Sequence, residues 1–263
     1  MQALAWRMAA GTVSVVLTLT ACGSAGGAGG KAASTPPPPT TSAPAAVALP
    51  FNVVAFLAPG KTGPTPGFSE YGDLDNKTAP PAGPYTVTAG GAKVTFNFPA
   101  TGSTDKDSLA VSYGQSSPIL TVTPGHYKRL YFLAAVAGGP QPANVVLQYQ
   151  DKTTSTVPVA FDDWCTVEVK GPLVSGTYAA WQGQAVIGQQ NGQPATVAKN
   201  GYSGSAKGCG LYVSSVAVNA VKTLTAVQLQ NNLSSVPAAL TGVASVQTSA
   251  HSGRIDLIAV TAQ

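Results

Sequence analysis

Charge is scarce in this chain. Only 9% of its 263 residues are Asp, Glu, Lys or Arg, far below the roughly 25% of an average soluble protein. The formal charge of +4 is spread thinly, and Lys128-Arg129 is the nearest thing to a basic cluster. A nucleic-acid interface needs clustered basic residues, so no nucleic-acid partner is expected. The pair reads as decoration at a strand end. Histidine is scarcer still, with His126 and His251 alone. A zinc centre needs His and Cys at ligand spacing, which is absent. A serine triad needs a strand, an elbow and a helix around its nucleophile, and "GYSGS" at 201–205 lacks that context. His126, between Gly125 and Tyr127, reads as a structural residue in a turn entering a strand.

Acids are few as well. Hydrolysis by paired carboxylates needs two of them facing each other across a cleft. The clusters are Asp73/Asp75, Asp105/Asp107 and Asp162-Asp163. Adjacent residues of a strand point to opposite sides, which separates Asp162 from Asp163. Asp105 and Asp107 sit in "TGSTDKDS", a turn composition that reads as solvated. No convincing catalytic constellation emerges, and a non-enzymatic role is expected.

Cysteine occurs three times, and one copy stands in "LTLTACGSAGGAGG", where an apolar run collapses into glycine. Arg7 followed by the apolar stretch from Met8 to Ala21 has the form of a signal peptide. The stretch is too short to span a bilayer, which takes about 20 apolar residues. Residues 1–21 are therefore read as an export signal. Leu19-Thr20-Ala21-Cys22 resembles the lipobox of bacterial lipoproteins. That resemblance implies diacylglycerol on the Cys22 thiol, cleavage before Cys22 and acylation of the new amino terminus. The alternative is an ordinary signal peptide with an incidental cysteine. No aspartate follows Cys22, so nothing marks the protein for inner-membrane retention; the expected location is the cell envelope, lipid-anchored to a membrane surface. Residues 22–49 read as a tether. "GSAGGAGGKAASTPPPPTTSAPAA" holds one charge and no large apolar residue, so its glycine half is expected to be a coil and its proline half stiffer and extended.

What the chain has in quantity is alternation. "KVTFNF" sends Val94, Phe96 and Phe98 to one side, "NVVLQYQ" does so with Val145, Leu147 and Tyr149, and "STVPVAF" with Val157, Val159 and Phe161. "GLYVSSVAV", "TLTAVQL", "GVASVQT" and "RIDLIAV" follow. Period-two segments broken by glycine, proline and asparagine predict antiparallel strands with one buried face. No window of helical length carries a 3.6-residue stripe. Residues 50–263 are thus expected to form one all-β domain, an antiparallel sandwich or jelly roll. In an exported protein the two remaining cysteines, Cys165 and Cys209, favour a disulfide over two buried thiols.

From Tyr71 to Val218 the chain resembles the β-sandwich accessory modules of secreted glycoside hydrolases. The segments that carry the resemblance are "YGDLDNKTAP", "VTFNFP", "DSLAVSYGQ", "ILTVTPGHYKRLYFLAAVAGG", "NVVLQYQDKTTSTVPVAFDDWC" and "CGLYVSSVAV". The resemblance implies a galactose-binding-like jelly roll and contact with polysaccharide. It departs from the family pattern in carrying no attached catalytic domain. Saccharide binding relies on an aromatic face ringed by polar groups. Trp181 in "SGTYAAWQGQ", with Tyr178 and Tyr202, lies in a polar, glycine-rich region, and Tyr71 and Phe68 in an early loop. Trp181 is open to core packing or to surface display, whereas Trp164 reads as core. Asp73, Asp75 and Asn76, with Glu70 near, offer oxygen ligands for a structural calcium on a loop; the alternative is an ordinary turn, since the full twelve-residue signature is missing. The expected function is a non-catalytic carbohydrate-binding lipoprotein of the cell surface. The alternative is a structural or protein-interaction module of the cell envelope, without a sugar ligand and with an envelope protein as partner.

If lipid on Cys22 is the anchor, Cys22→Ser releases the protein from the membrane fraction, because the polar tether supplies no other hold. Fractionation of the native host checks this, and retention of the variant on membranes refutes it.

Overall fold

A computed structural model describes residues 37, 39–57, 73–75, 78–102, 106–137, 140–164, 176–183, 185–187, 196–197, 209–233 and 253–263. Every regular element among them is a strand, and all strands fall in one compact unit, Pro38–Gln263. The expected all-β, antiparallel sandwich is what the chain forms.

The central sheet runs β1 (Ala45–Val47), β17 (Arg254–Ala262), β9 (Arg129–Ala137), β15 (Cys209–Ala217) and β12 (Tyr178–Gly183), with β6 (Leu109–Val111) also paired to β17. A second sheet runs β11 (Thr154–Phe161), β10 (Gln141–Tyr149) and β16 (Leu224–Asn231), flanked by β7 (Gln115–Ser116) and β8 (Leu120–Gly125). β4 (Gly83–Ala89) and β5 (Ala92–Phe98) form a hairpin. β14 (Thr196–Val197), β13 (Ala185–Ile187), β3 (Asp73–Asp75) and β2 (Phe56–Leu57) make a small sheet, in which only β2 and β3 run parallel.

Two cores result. In the first, Leu130, Phe132, Val136, Val216, Leu257 and Val260 of the central sheet meet Val145, Leu147, Phe161, Val227 and Leu229 of the second sheet. In the second, Tyr131, Leu133, Leu211, Val213 and Ile258 meet Val94, Phe96 and Phe98 of the hairpin, with Phe56 and Trp164. The central sheet is therefore buried on both faces, and the expectation of one buried face per strand needs correction there. "RLYFLAAVA" and "RIDLIAVTA" are apolar in near-continuous runs because each side chain, up or down, enters a core. The hairpin and β10 are covered on one face only and keep the alternation.

The domain also begins earlier than residue 50. β1 pairs with the end of β17, Val47 is buried, and Ser42 Oγ accepts a 2.8 Å bond from the His126 amide. Edge pairing of this kind uses backbone groups, which any composition supplies; the tether thus ends before Ser42, not at 49. His126 Nδ1 lies 3.1 Å from the Ala220 carbonyl, in keeping with a structural role.

Asp107 corrects another expectation. It is not solvated but completely buried, and its carboxylate accepts from the amides of Ala55 (2.6 Å) and Phe56 (3.2 Å). The acid thereby clips the segment leading into β2 onto the second core. Nearby, buried Asp256 pairs with Arg254 at 2.9 Å and accepts from Ser108 Oγ. Burial pushes the Asp107 carboxyl up to about 7 and outweighs the amide hydrogen bonds, which pull it down. An acid whose folded value lies above its unfolded value, about 4, stabilises the fold in its protonated form. That contribution is whole below the unfolded value and is lost as pH rises toward 7. The thermal midpoint is accordingly expected to fall between about pH 4 and pH 7, and Asp107→Asn to flatten that slope. A pH series of melting curves on both proteins checks it.

Candidate functional site

The described surface has a groove of about 240 Å³ lined by Gly90, Arg129, Tyr131, Thr177, Tyr178, Ser214 and Ser215, with Ala89, Val159, Ala160 and Gly176 completing it. Its position follows from strand lengths. β12 begins at Tyr178, opposite Val213, so residues 214–217 of β15 have no strand neighbour on that side among the described residues. The notch left there is the groove.

A β-bulge sets its wall. Tyr178 pairs with Val213 and Trp181 with Leu211, leaving Ala180 as the extra residue of β12. In a regular strand, residues three apart face opposite sides. The bulge brings both aromatics to the face of the hairpin. There they diverge in environment. Trp181 is half-buried; its ring lies 5.8 Å from that of Phe56 and its indole N–H donates to the Thr78 carbonyl at 2.8 Å. Tyr178 remains 36% exposed, and it is the only aromatic among the exposed large apolar side chains of the described residues.

The hairpin tip shapes the other rim. Gly90 and Gly91 both have positive φ, 58° and 81°, as a two-residue turn of the mirror-image type requires. A Cβ on Gly90 would stand 2.9 Å from the Tyr178 hydroxyl. The glycine therefore serves the turn and also leaves room for the phenol.

The polar atoms have assigned roles. Ser214 Oγ donates to the Ala160 carbonyl at 2.8 Å, and Thr177 Oγ1 donates to buried Asp162 at 2.7 Å. A hydroxyl has one proton, so toward a ligand these two can only accept. Arg129 Nη1 donates to Ser215 Oγ at 3.0 Å. No carboxylate among the described residues lies within ion-pair distance of that guanidinium.

Comparison with known proteins finds no matching family model and no matching curated protein. The site must be read from its own atoms.

Of the residues singled out in sequence, Tyr178 lies on the groove, Trp181 lies against the second core, and Trp164 is buried there as expected. Tyr71, Tyr202, Asn76, Cys22, Cys165 and His251 lie outside the described residues. Asp73 and Asp75 belong to strand β3 rather than to a loop, because β3 is held on both sides by β2 and β13; their side chains are not among those described. Cys209 is buried at the head of β15. Arg129, Thr177, Ser214 and Ser215 were not picked out as a site. The one available signal was two adjacent serines inside an otherwise apolar strand.

Proposed function

We propose that the chain is an exported lipoprotein, anchored through Cys22, whose β-sandwich binds saccharide as a non-catalytic module. The observation that carries this reading is the exposed ring of Tyr178 in one groove with the Ser215 hydroxyl and the Arg129 guanidinium, over a floor that includes buried Ser214 and Thr177. A sugar offers an apolar ring face and a fringe of hydroxyls that both donate and accept, and the groove offers a surface for each. The likeness to accessory modules of glycoside hydrolases supports the same reading and, with it, a galactose-binding-like jelly roll. A shallow groove with one stacking residue gives modest affinity, since little buried area offsets the freedom lost on binding.

A disulfide between Cys165 and Cys209 belongs to the proposal. Its support is the hydrogen bond of 2.6 Å from the Gly210 amide to the Trp164 carbonyl, which joins the immediate neighbours of the two cysteines. The disulfide would be worth about 4 kcal/mol by restricting the unfolded chain. Peptide mapping without reductant is expected to recover the two peptides joined; a free thiol at either position in freshly purified protein would sink the pairing.

For the groove, Tyr178→Ala is expected to abolish retention on an insoluble glycan while leaving the thermal midpoint nearly unchanged. Trp181→Ala is expected to lower the midpoint by several degrees, because it strips packing from Phe56 and leaves the Thr78 carbonyl without the indole donor. Glycan pull-down and melting curves on the two variants separate ligand contact from core. If the unaltered protein is retained by none of a broad panel of glycans, the saccharide reading fails and the envelope-interaction reading takes its place.

A further inference from the structure

We infer that the groove selects a saccharide bearing an anionic group, a carboxylate or a sulfate, with the anion on Arg129 and the sugar ring against Tyr178. The inference rests on the saccharide reading and adds a substrate class to it. Its ground is the division of donors and acceptors around the groove. Ser214 and Thr177, both buried in the floor of the groove, have committed their single protons to Ala160 and Asp162, so that floor has no hydroxyl proton left to give to an anion. Arg129 is the opposite. A guanidinium carries five N–H donors and no acceptor, and one of them is engaged, by Ser215 Oγ. That hydroxyl, having accepted, keeps its own proton to give.

Arg129 and Ser215 thus form the donor end of the groove, and Ser214 and Thr177 the acceptor end. A neutral sugar offers the exposed guanidinium only uncharged oxygens, which compete poorly with the water already there. A planar carboxylate or a sulfate matches the fork of the guanidinium, and charge-assisted bonds are roughly twice as strong as neutral ones. The guanidinium is positioned for this by its strand. Arg129 is the first residue of β9, opposite Ala217 at the end of β15, and its backbone is fixed to Gln263 by bonds of 2.8 and 2.9 Å. The charge therefore stands at the mouth of the notch and not within a core.

The test measures binding of the purified full-length chain to three glycans, polygalacturonate, a sulfated galactan and an uncharged galactan, with polyglutamate as a sugar-free polyanion. At least one charged glycan is expected to bind about tenfold tighter than the uncharged one at low ionic strength, and the advantage is expected to shrink as salt is added. Which of the two wins identifies the anion as carboxylate or sulfate. Arg129→Gln is expected to erase the advantage while leaving weak binding to the uncharged galactan; a thermal midpoint equal to that of the unaltered chain verifies its fold. Should that variant fail to fold, Arg129→Lys, which keeps the charge and loses the planar fork, is expected to bind the charged glycan severalfold more weakly. Equal binding to charged and uncharged galactans, unaffected at Arg129, overturns the anion and leaves the saccharide reading standing. Binding to no glycan overturns both. Polyglutamate bound as tightly as the charged glycan also overturns the inference, since the groove would then be reading charge without sugar.

Discussion

Burial of both faces of one sheet is the constraint on which the rest depends. A sheet made of β9, β15 and β17 has no wet side, so it needs a cover above and below. The five-stranded sheet supplies one and the β4–β5 hairpin, with Phe56 and Trp164, supplies the other. Polar groups admitted to the central strands must bring partners with them, because an unpaired buried charge is costly. Asp256 illustrates the rule, lying in the middle sheet only in company with Arg254 and Ser108.

The groove arises where that constraint lapses. β12 covers the edge of β15 as far as Val213 and no further, and serines replace apolar residues at the next two positions. The hairpin reaches over from the other side with a turn of two glycines, too small to fill the gap. The same bulge that aims Tyr178 at this opening lets Trp181 close the core beneath it. Fold and site are thus two outcomes of one strand that starts late.

Part of this was legible in the residues. Where one face is covered, alternation identified the strand and its buried side, as at Val94, Phe96 and Phe98 or at Val145, Leu147 and Tyr149. Where both faces are covered, a run of apolar residues announces a strand but not what lies on either side. The bulge at Ala180 was invisible, since an extra residue alters facing without altering composition. Asp107 misled for a related reason. Among Thr, Gly, Ser and Lys it has the neighbours of a surface turn, and only the tertiary approach of the Ala55 and Phe56 amides makes it a buried acceptor. β1 escaped notice because backbone pairing leaves so faint a trace in sequence.

The place of β17 bears on how the molecule comes to exist. This strand, the last of the described elements, lies between β9 on one side and β1 with β6 on the other, and it contributes to both cores. Its partners are separated from it by more than a hundred residues of chain, and such distant pairings are slow to form because loop closure must come first. Neither core can be sealed until residues 254–262 are available. A chain that becomes available amino terminus first would therefore leave both cores open until residues 254–262 had joined it. The arrival of β17 would then be the event that commits the domain to fold.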